Sequence, residues 1–317
     1  MISKTTLFIA TFAFTLTHSA LAAEKLKVVT SIPDLAWVAA EVGGERVEAV
    51  ALLRGTENPH FVDAVPEFTR LVADADIVCI VGLDLEVGYM PPVLARSGNA
   101  NIQPGGKGYC EAGKSITVLE KPVGPVDRSM GDVHPSGNPH FYLSPKALTE
   151  SAKVIAATLQ AVDPGHTESY QLGLANFTKN MLKLSEEIYT KLKPIRDAQE
   201  ADGKPIIMEY HREFTYFLQE YGLKSFGSVE EKPGVPPSAG RLGSIALNSK
   251  SAGVLVALAA DYNPSNIVKR FTELSGIEVA VVPTMIQPKG TFNSYAALQR
   301  HIAEKLVASS QRGKLQN

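Results

Sequence analysis

Short runs of Val, Ile and Leu recur along this 317-residue chain, separated by stretches with helical patterning, and this alternation limits the possible folds more than any other feature. KVVTS (27–31), VEAVALL (47–53) and DIVCIVG (76–82) read as strands buried on both faces. Between them, PDLAWVAAEVG and VPEFTRLVADA repeat apolar residues at helical spacing. After the glycine-rich break QPGGKG, SITVLE reads as a further strand, and a helix is expected from about Pro145 through ALTESAKVIAATLQAV. PIIMEYH, LKSFGSV, GVLVALA and EVAVVPT repeat the rhythm in the second half, again with helices between them. Parallel strands need long crossovers, which helices supply. The expected fold is therefore α/β with two domains, each a mainly parallel sheet flanked by helices.

The stretch between the halves has its own signature. Asp163 followed by Pro164 is a helix start, and no further proline occurs until Pro194. Leu174, Phe177, Met181, Leu184, Ile188, Leu192 and Ile195 mark one apolar stripe. A single helix of about 30 residues would run roughly 45 Å and join the two domains; the alternative is a helical hairpin broken near Gly173. The expected division is an N-terminal domain over 23–162, a linking helix over 163–199 and a C-terminal domain over 200–317. A rigid tie of this kind limits hinge motion between the domains.

Residues 1–22 have a lysine near the start, an apolar stretch from Leu7 to about Leu16, and Ala20 and Ala22 in an A-x-A arrangement. This reads as a cleaved secretory signal peptide. No cysteine stands at the cleavage site to accept a lipid, so a soluble periplasmic protein is expected. The formal charge of −2 has no basic excess that would suggest a nucleic-acid partner, and a monomer is expected. Cys79 and Cys110 are the two cysteines, and for an exported chain both a disulfide and free thiols are open readings.

Three histidines stand where strands hand over to helices: His60 ends TENPH, His140 ends GNPH, and His211 follows PIIMEY. In open α/β sheets that edge is where ligands bind. Two of the three come from the first half and one from the second, so they can converge only between the domains. The repeated Asn-Pro-His places a φ-restricted residue beside each of two imidazoles, which pre-positions them. A site built mainly of imidazole nitrogen suits zinc among the abundant ions. His166 and His301 fall on helices. His134 lies in a Gly- and Pro-rich stretch from which it could reach an ion or guard an entrance.

TENPHFVDAVPEF, GLDLEVGYMPPVL, GDVHPSGNPHFYLSP, EYHREFTYFLQEYGL and EKPGVPPSAGRL together resemble the zinc/manganese-binding solute-binding proteins of ABC importers. The resemblance covers nearly the whole chain after the leader and keeps motif order. It implies two α/β domains joined by a long helix, one transition-metal site between them, and delivery of the ion to a membrane permease. It carries the family's three histidine positions onto His60, His140 and His211. Manganese-preferring members tend to have a carboxylate at the third position; His211 points to Zn2+ as the transported ligand, with Mn2+ less favoured.

In one respect the chain departs from the family pattern. The resemblance implies a fourth ligand, an aspartate after the last strand, but no acidic residue occurs between Glu278 and Glu304. Gln287 falls at that place, or Asn293 if the alignment slips. His134, water, or Glu209, two residues before His211 on a strand, are the other candidates. Two further functions fit some of these features. An open three-histidine site also suits a zinc hydrolase, but no H-E-x-x-H, G-x-S-x-G or P-loop occurs, and Glu209 or Glu213 is thin support for a general base. An organic ligand or metal chelate would call for an aromatic cleft, and the one tryptophan, Trp37, reads as packed on the first helix.

Overall fold

The computed structural model describes residues 24–131 and 133–316; the expected leader lies outside them. In the first half, β1 (Leu26–Thr30), β2 (Val47–Ala51), β3 (Ile77–Ile80) and β4 (Tyr109–Glu111) form a parallel sheet in the order β2-β1-β3-β4. Helices α1 (Pro33–Gly43), α2 (Pro66–Ala73), α3 (Met90–Arg96) and α4 (Pro145–Val162) belong to this half. Each has proline in its first turn, where the missing N–H has no intrahelical acceptor to lose. Ser144 adds a cap to α4 by accepting the N–H of Ala147.

Next come α5 (Thr167–Lys191) and α6 (Lys193–Asp202). In the second half, β5 (Ile207–Glu209), β6 (Ser225–Ser228), β7 (Val256–Ala260) and β8 (Glu278–Val282) are again all parallel, in the order β6-β5-β7-β8. Helices α7 (Thr215–Glu220), α8 (Ala239–Ala252), α9 (Ser265–Ser275) and α10 (Tyr295–Gln316) accompany them. The two sheets therefore share one strand order. In both, the order reverses beside the first strand, and such a reversal opens a crevice at the carboxyl ends of the strands.

The long helix is real but shorter than its apolar stripe. Pro164–His166 forms a 3-10 turn ahead of it, with Asp163 accepting from the His166 ring at 2.9 Å and from the Tyr170 hydroxyl at 2.7 Å. At the far end Leu192 leaves helical geometry (ψ 0°), and α6 starts with Pro194 in its first turn. A proline there has no N–H for the carbonyl four residues back, so the α5 ladder cannot run through it. Gly173 does not break α5. It lies where α5 crosses the end of α1, and a Cβ on it would sit 2.1 Å from the Val42 carbonyl oxygen.

SITVLE is not a strand. Its place at the sheet edge is taken by Tyr109–Glu111, where Cys110 pairs in register with Cys79 and is disulfide-bonded to it. Leu119 instead bridges the halves: its N–H donates to the Tyr216 hydroxyl, and its carbonyl accepts the Asn138 N–H. One apolar core runs through both halves, from Val28 and Leu35 through Phe177, Leu184 and Ile188 of α5 to Leu298 and Leu306 of α10. Trp37 belongs to it, stacked on Tyr295 at 5.2 Å between ring centroids and tilted against Phe177 at 5.3 Å. Among the described residues, no helix is long and apolar enough to cross a membrane.

Gly173→Ala tests the close approach of α5 to α1. In an exposed helix Ala is favoured over Gly by about 1 kcal/mol. Here the added methyl meets backbone, so the expected change is a destabilisation of about 1–3 kcal/mol, read from chemical denaturation. A stabilised variant would mean that the two helices are not in contact at this point.

Candidate metal centre

The two Asn-Pro-His segments fold alike. Asn58 Oδ1 accepts the N–H of His60 at 3.0 Å, and Asn138 Oδ1 accepts the N–H of His140 at 2.9 Å. Each is an Asx turn whose middle residue is fixed by proline, so backbone geometry sets where each ring can go. The second turn is also anchored in the other half. Asn138 Nδ2 donates to Glu120 Oε2 at 2.9 Å and to the Arg212 carbonyl at 2.8 Å, and the Tyr216 hydroxyl donates to the Asn138 carbonyl at 2.8 Å. His211 stands just past the end of β5, in extended geometry, before the 3-10 turn Arg212–Phe214.

The structure brings these three rings together. One ligand-capable atom of each of His60, His140 and His211 lies within 4.8 Å of the others. His60 Nε2 and His140 Nε2 are 3.0 Å apart. Two nitrogens bound tetrahedrally to one zinc at 2.0–2.1 Å would be about 3.3 Å apart, so this pair is already close to the spacing of two ligands. His140 is 1% exposed and His211 9%, while His60 is half-buried. His140 Nδ1 is 3.0 Å from the Tyr142 hydroxyl and His211 Nδ1 is 3.0 Å from Glu230 Oε2. With Nδ1 engaged on both rings, Nε2 is the remaining nitrogen of each, and the outer partners fix ring orientation.

The surroundings push two of the rings apart in basicity. Burial, aided by His60, His211 and His134, holds His140 well below the ordinary histidine value. Burial works in the same direction on His211, but Glu213 and the Glu230 hydrogen bond outweigh it, and its pKa stands above the ordinary value. One ring is thus kept neutral and another attracts a proton.

The other residues considered as ligands fall elsewhere. Glu209 lies outside the group of converging ligand atoms formed by His60, His140 and His211. Its Oε2 accepts the Phe214 N–H at 3.0 Å, and burial pushes its pKa up to about 8. Gln287 donates to Asp261 Oδ2 at 3.1 Å, and Asn293 is exposed. His134 is close, its ring centroid 5.0 Å from that of His60, and it lines a cavity with His140 and His211. His166 is bonded to Asp163, and His301 packs on Phe292 at 4.3 Å.

Sequence reasoning missed Tyr142 and Glu230 as ring partners and passed over Glu213 as a buried acid facing the cluster. Tyr142 stands two residues after His140, in reach of Nδ1 across the single 3-10 turn His140–Leu143, a spacing visible in HFY. Glu230 is 19 residues from His211 and comes beside it only because β6 pairs with β5. No local pattern carried that signal.

Residues 28–309 match the family model ZnuA, described as zinc-uptake complex component A periplasmic. The chain is 26% identical over 260 residues to the metal ABC transporter substrate-binding lipoprotein FimA of Streptococcus parasanguinis, a match covering 80% of this chain and 79% of that protein. It is 24% identical over 298 residues to the manganese ABC transporter substrate-binding lipoprotein PsaA of Streptococcus pneumoniae, covering 92% and 91%. A crystal structure of ZnuA has the same fold, with a TM-score of 0.71 at 19% identity, covering 90% of this chain and all of the other.

The pairing of His211 with Glu230 is directly testable. Glu230→Gln keeps a hydrogen-bonding group at Nδ1 but removes the charge that favours the imidazolium. In chelator-treated protein, NMR titration of the histidine rings is expected to find the His211 midpoint about one pH unit lower in the variant. An unmoved midpoint would mean that Glu230 does not set this ring's basicity.

Proposed function

The chain belongs to the ZnuA family, zinc-uptake complex component A periplasmic, and we propose that it carries one zinc ion between His60, His140 and His211 and delivers it to the membrane permease of an ABC importer. The family consists of substrate-binding proteins of transporters, not enzymes, which sets aside the hydrolase reading. The observation carrying the proposal is the convergence of three imidazoles from both halves within 4.8 Å. Here the metal is cargo, held by three nitrogen donors, two of which, His140 and His211, already have their outer nitrogens bonded.

Donor chemistry favours zinc. Imidazole nitrogen suits zinc, whereas manganese prefers oxygen and stands lowest among the divalent first-row ions in affinity for a given site. PsaA is named for manganese, so the choice of metal for this chain rests on its own donor set. The leader read at residues 1–22 fits work on the periplasmic side of the membrane, where the permease would receive the ion. All three donors come from one chain, so a monomer suffices.

Metal content and competitive zinc titration test this reading. The expected result is one zinc per chain, with affinity reduced more than about 100-fold in each of the His60→Ala, His140→Ala and His211→Ala variants. Stoichiometric metal indifferent to those substitutions would overturn it.

The pH dependence follows from the same rings. An ion binds only neutral imidazole. His211, with its pKa above the ordinary value of about 6.5, is protonated earlier than His140 as pH falls. Zinc affinity should therefore begin to fall above pH 6.5 and then drop by roughly tenfold per pH unit for each ring being protonated. A profile that stays flat to pH 5 in chelator competition would exclude His211 as a ligand.

A further inference from the structure

Three neutral imidazoles leave the double charge of a zinc ion uncompensated, and a buried cation needs a partner of opposite charge. The position where the family resemblance puts an acid is occupied by Gln287, whose amide is turned to Asp261. Glu230 Oε2 is already committed to His211 Nδ1 and to the Gly234 N–H. A second carboxylate beside the cluster has a buried oxygen to spare. Glu213, on the 3-10 turn two residues after His211, is 1% exposed. Its Oε1 accepts from Asn263 Nδ2 at 3.2 Å, while Oε2 is buried with no hydrogen-bond partner. An orphaned carboxylate oxygen in an interior is rare and calls for an explanation.

Its surroundings supply one. Glu213 lines a cavity of about 220 Å³ together with His60, His211, Asn58 and Tyr262. We infer that Glu213 supplies the fourth, anionic ligand to the ion held by His60, His140 and His211, with Oε2 as the donor. The inference rests on the metal-cargo reading. The carboxylate lies outside the group of atoms within 4.8 Å, so binding brings it inward by rotation about its side-chain bonds into the cavity it already lines. Coordination then lowers the net charge of the site from two to one and satisfies the orphaned oxygen. The acid comes from the turn that carries His211, not from the loop after the last strand.

Glu213→Gln tests this, because glutamine keeps the shape and can still accept from Asn263. Three measurements on the full mature chain are compared with wild type: competitive zinc titration, zinc X-ray absorption, and thermal unfolding with chelator and with zinc. The expected result is one zinc per chain at an affinity at least about tenfold lower, with a carboxylate oxygen lost from the absorption spectrum. The chelator-treated variant should unfold at the wild-type temperature or above it, because a costly buried charge has been removed, while its gain on adding zinc shrinks. Unchanged zinc affinity, or a fall in unfolding temperature equal with and without zinc, would overturn the inference and leave Glu213 a packing role. Gln287→Asp is the control, expected to leave affinity unchanged; a rise would move the acid back to that loop and overturn the inference. Wild-type protein that takes up no stoichiometric zinc would overturn the cargo reading itself.

Discussion

The three imidazoles can meet only while the two sheets hold a fixed relation, and one continuous apolar core maintains that relation. α5 is its axis: Phe177, Met181, Leu184 and Ile188 are buried in the cluster that also contains Val38 and Val42 of α1 and Leu298 of α10. The segment leaving His140 is fastened to the second half almost residue by residue. Tyr142 accepts at its carbonyl from the Tyr295 hydroxyl at 2.8 Å, and Leu143 from Gln299 Nε2 at 2.9 Å. The Ser144 hydroxyl donates to Glu220, which also accepts from Ser185 Oγ at 2.6 Å. Large opening of the halves would break a shared core and these buried bonds together. The architecture therefore favours local rearrangement at the cluster over wide hinge motion.

Within that frame the site is electrically uneven. His140, enclosed and surrounded by other rings, is held well below the ordinary histidine value, so its surroundings favour the neutral ring. His211 sits between Glu213 and Glu230 and attracts a proton. An arriving cation therefore replaces one already favoured there, and the carboxylates that stabilise the imidazolium are in place to stabilise the metal. On the proposed reading, the glutamates that make His211 basic also stabilise the ion, so one set of groups sets affinity and proton competition.

Much of this was readable in the sequence because the signals were local. Most of the strand runs and the two Asn-Pro-His turns depend on a few adjacent residues, and these appear where those residues stand. SITVLE misled because its composition suits a strand, whereas the adjacent YCE has the register with β3. Glu209 stands two residues before His211, as alternation expects, but its carboxylate is taken by the Phe214 N–H, a contact five residues away that alternation does not register. Glu230 and Asn263 reach the site through pairing and packing across the second sheet, over separations of 19 and 50 residues from their partners. Tertiary proximity of that kind leaves no periodic trace.

The missing acid after β8 has its own physical account. That loop is docked onto the first half: the Ile286 N–H donates to the buried Asp34 Oδ2 at 3.1 Å, and its carbonyl lies where a Cβ on Gly55 would be 2.0 Å away. Gly55 has φ +91°, a conformation glycine adopts readily, so both its backbone and its lack of a side chain serve this approach. Gln287, next in the chain, is drawn to Asp261. The loop thus spends its Ile286 N–H on the first half and its Gln287 amide on Asp261 within the second, and neither group is among the atoms that converge with the histidines. On the proposed reading, a carboxylate for the ion comes from an element already at the cluster. The turn Arg212–Phe214 is such an element, fixed at one end by His211 and at the other by the Phe214 N–H on Glu209.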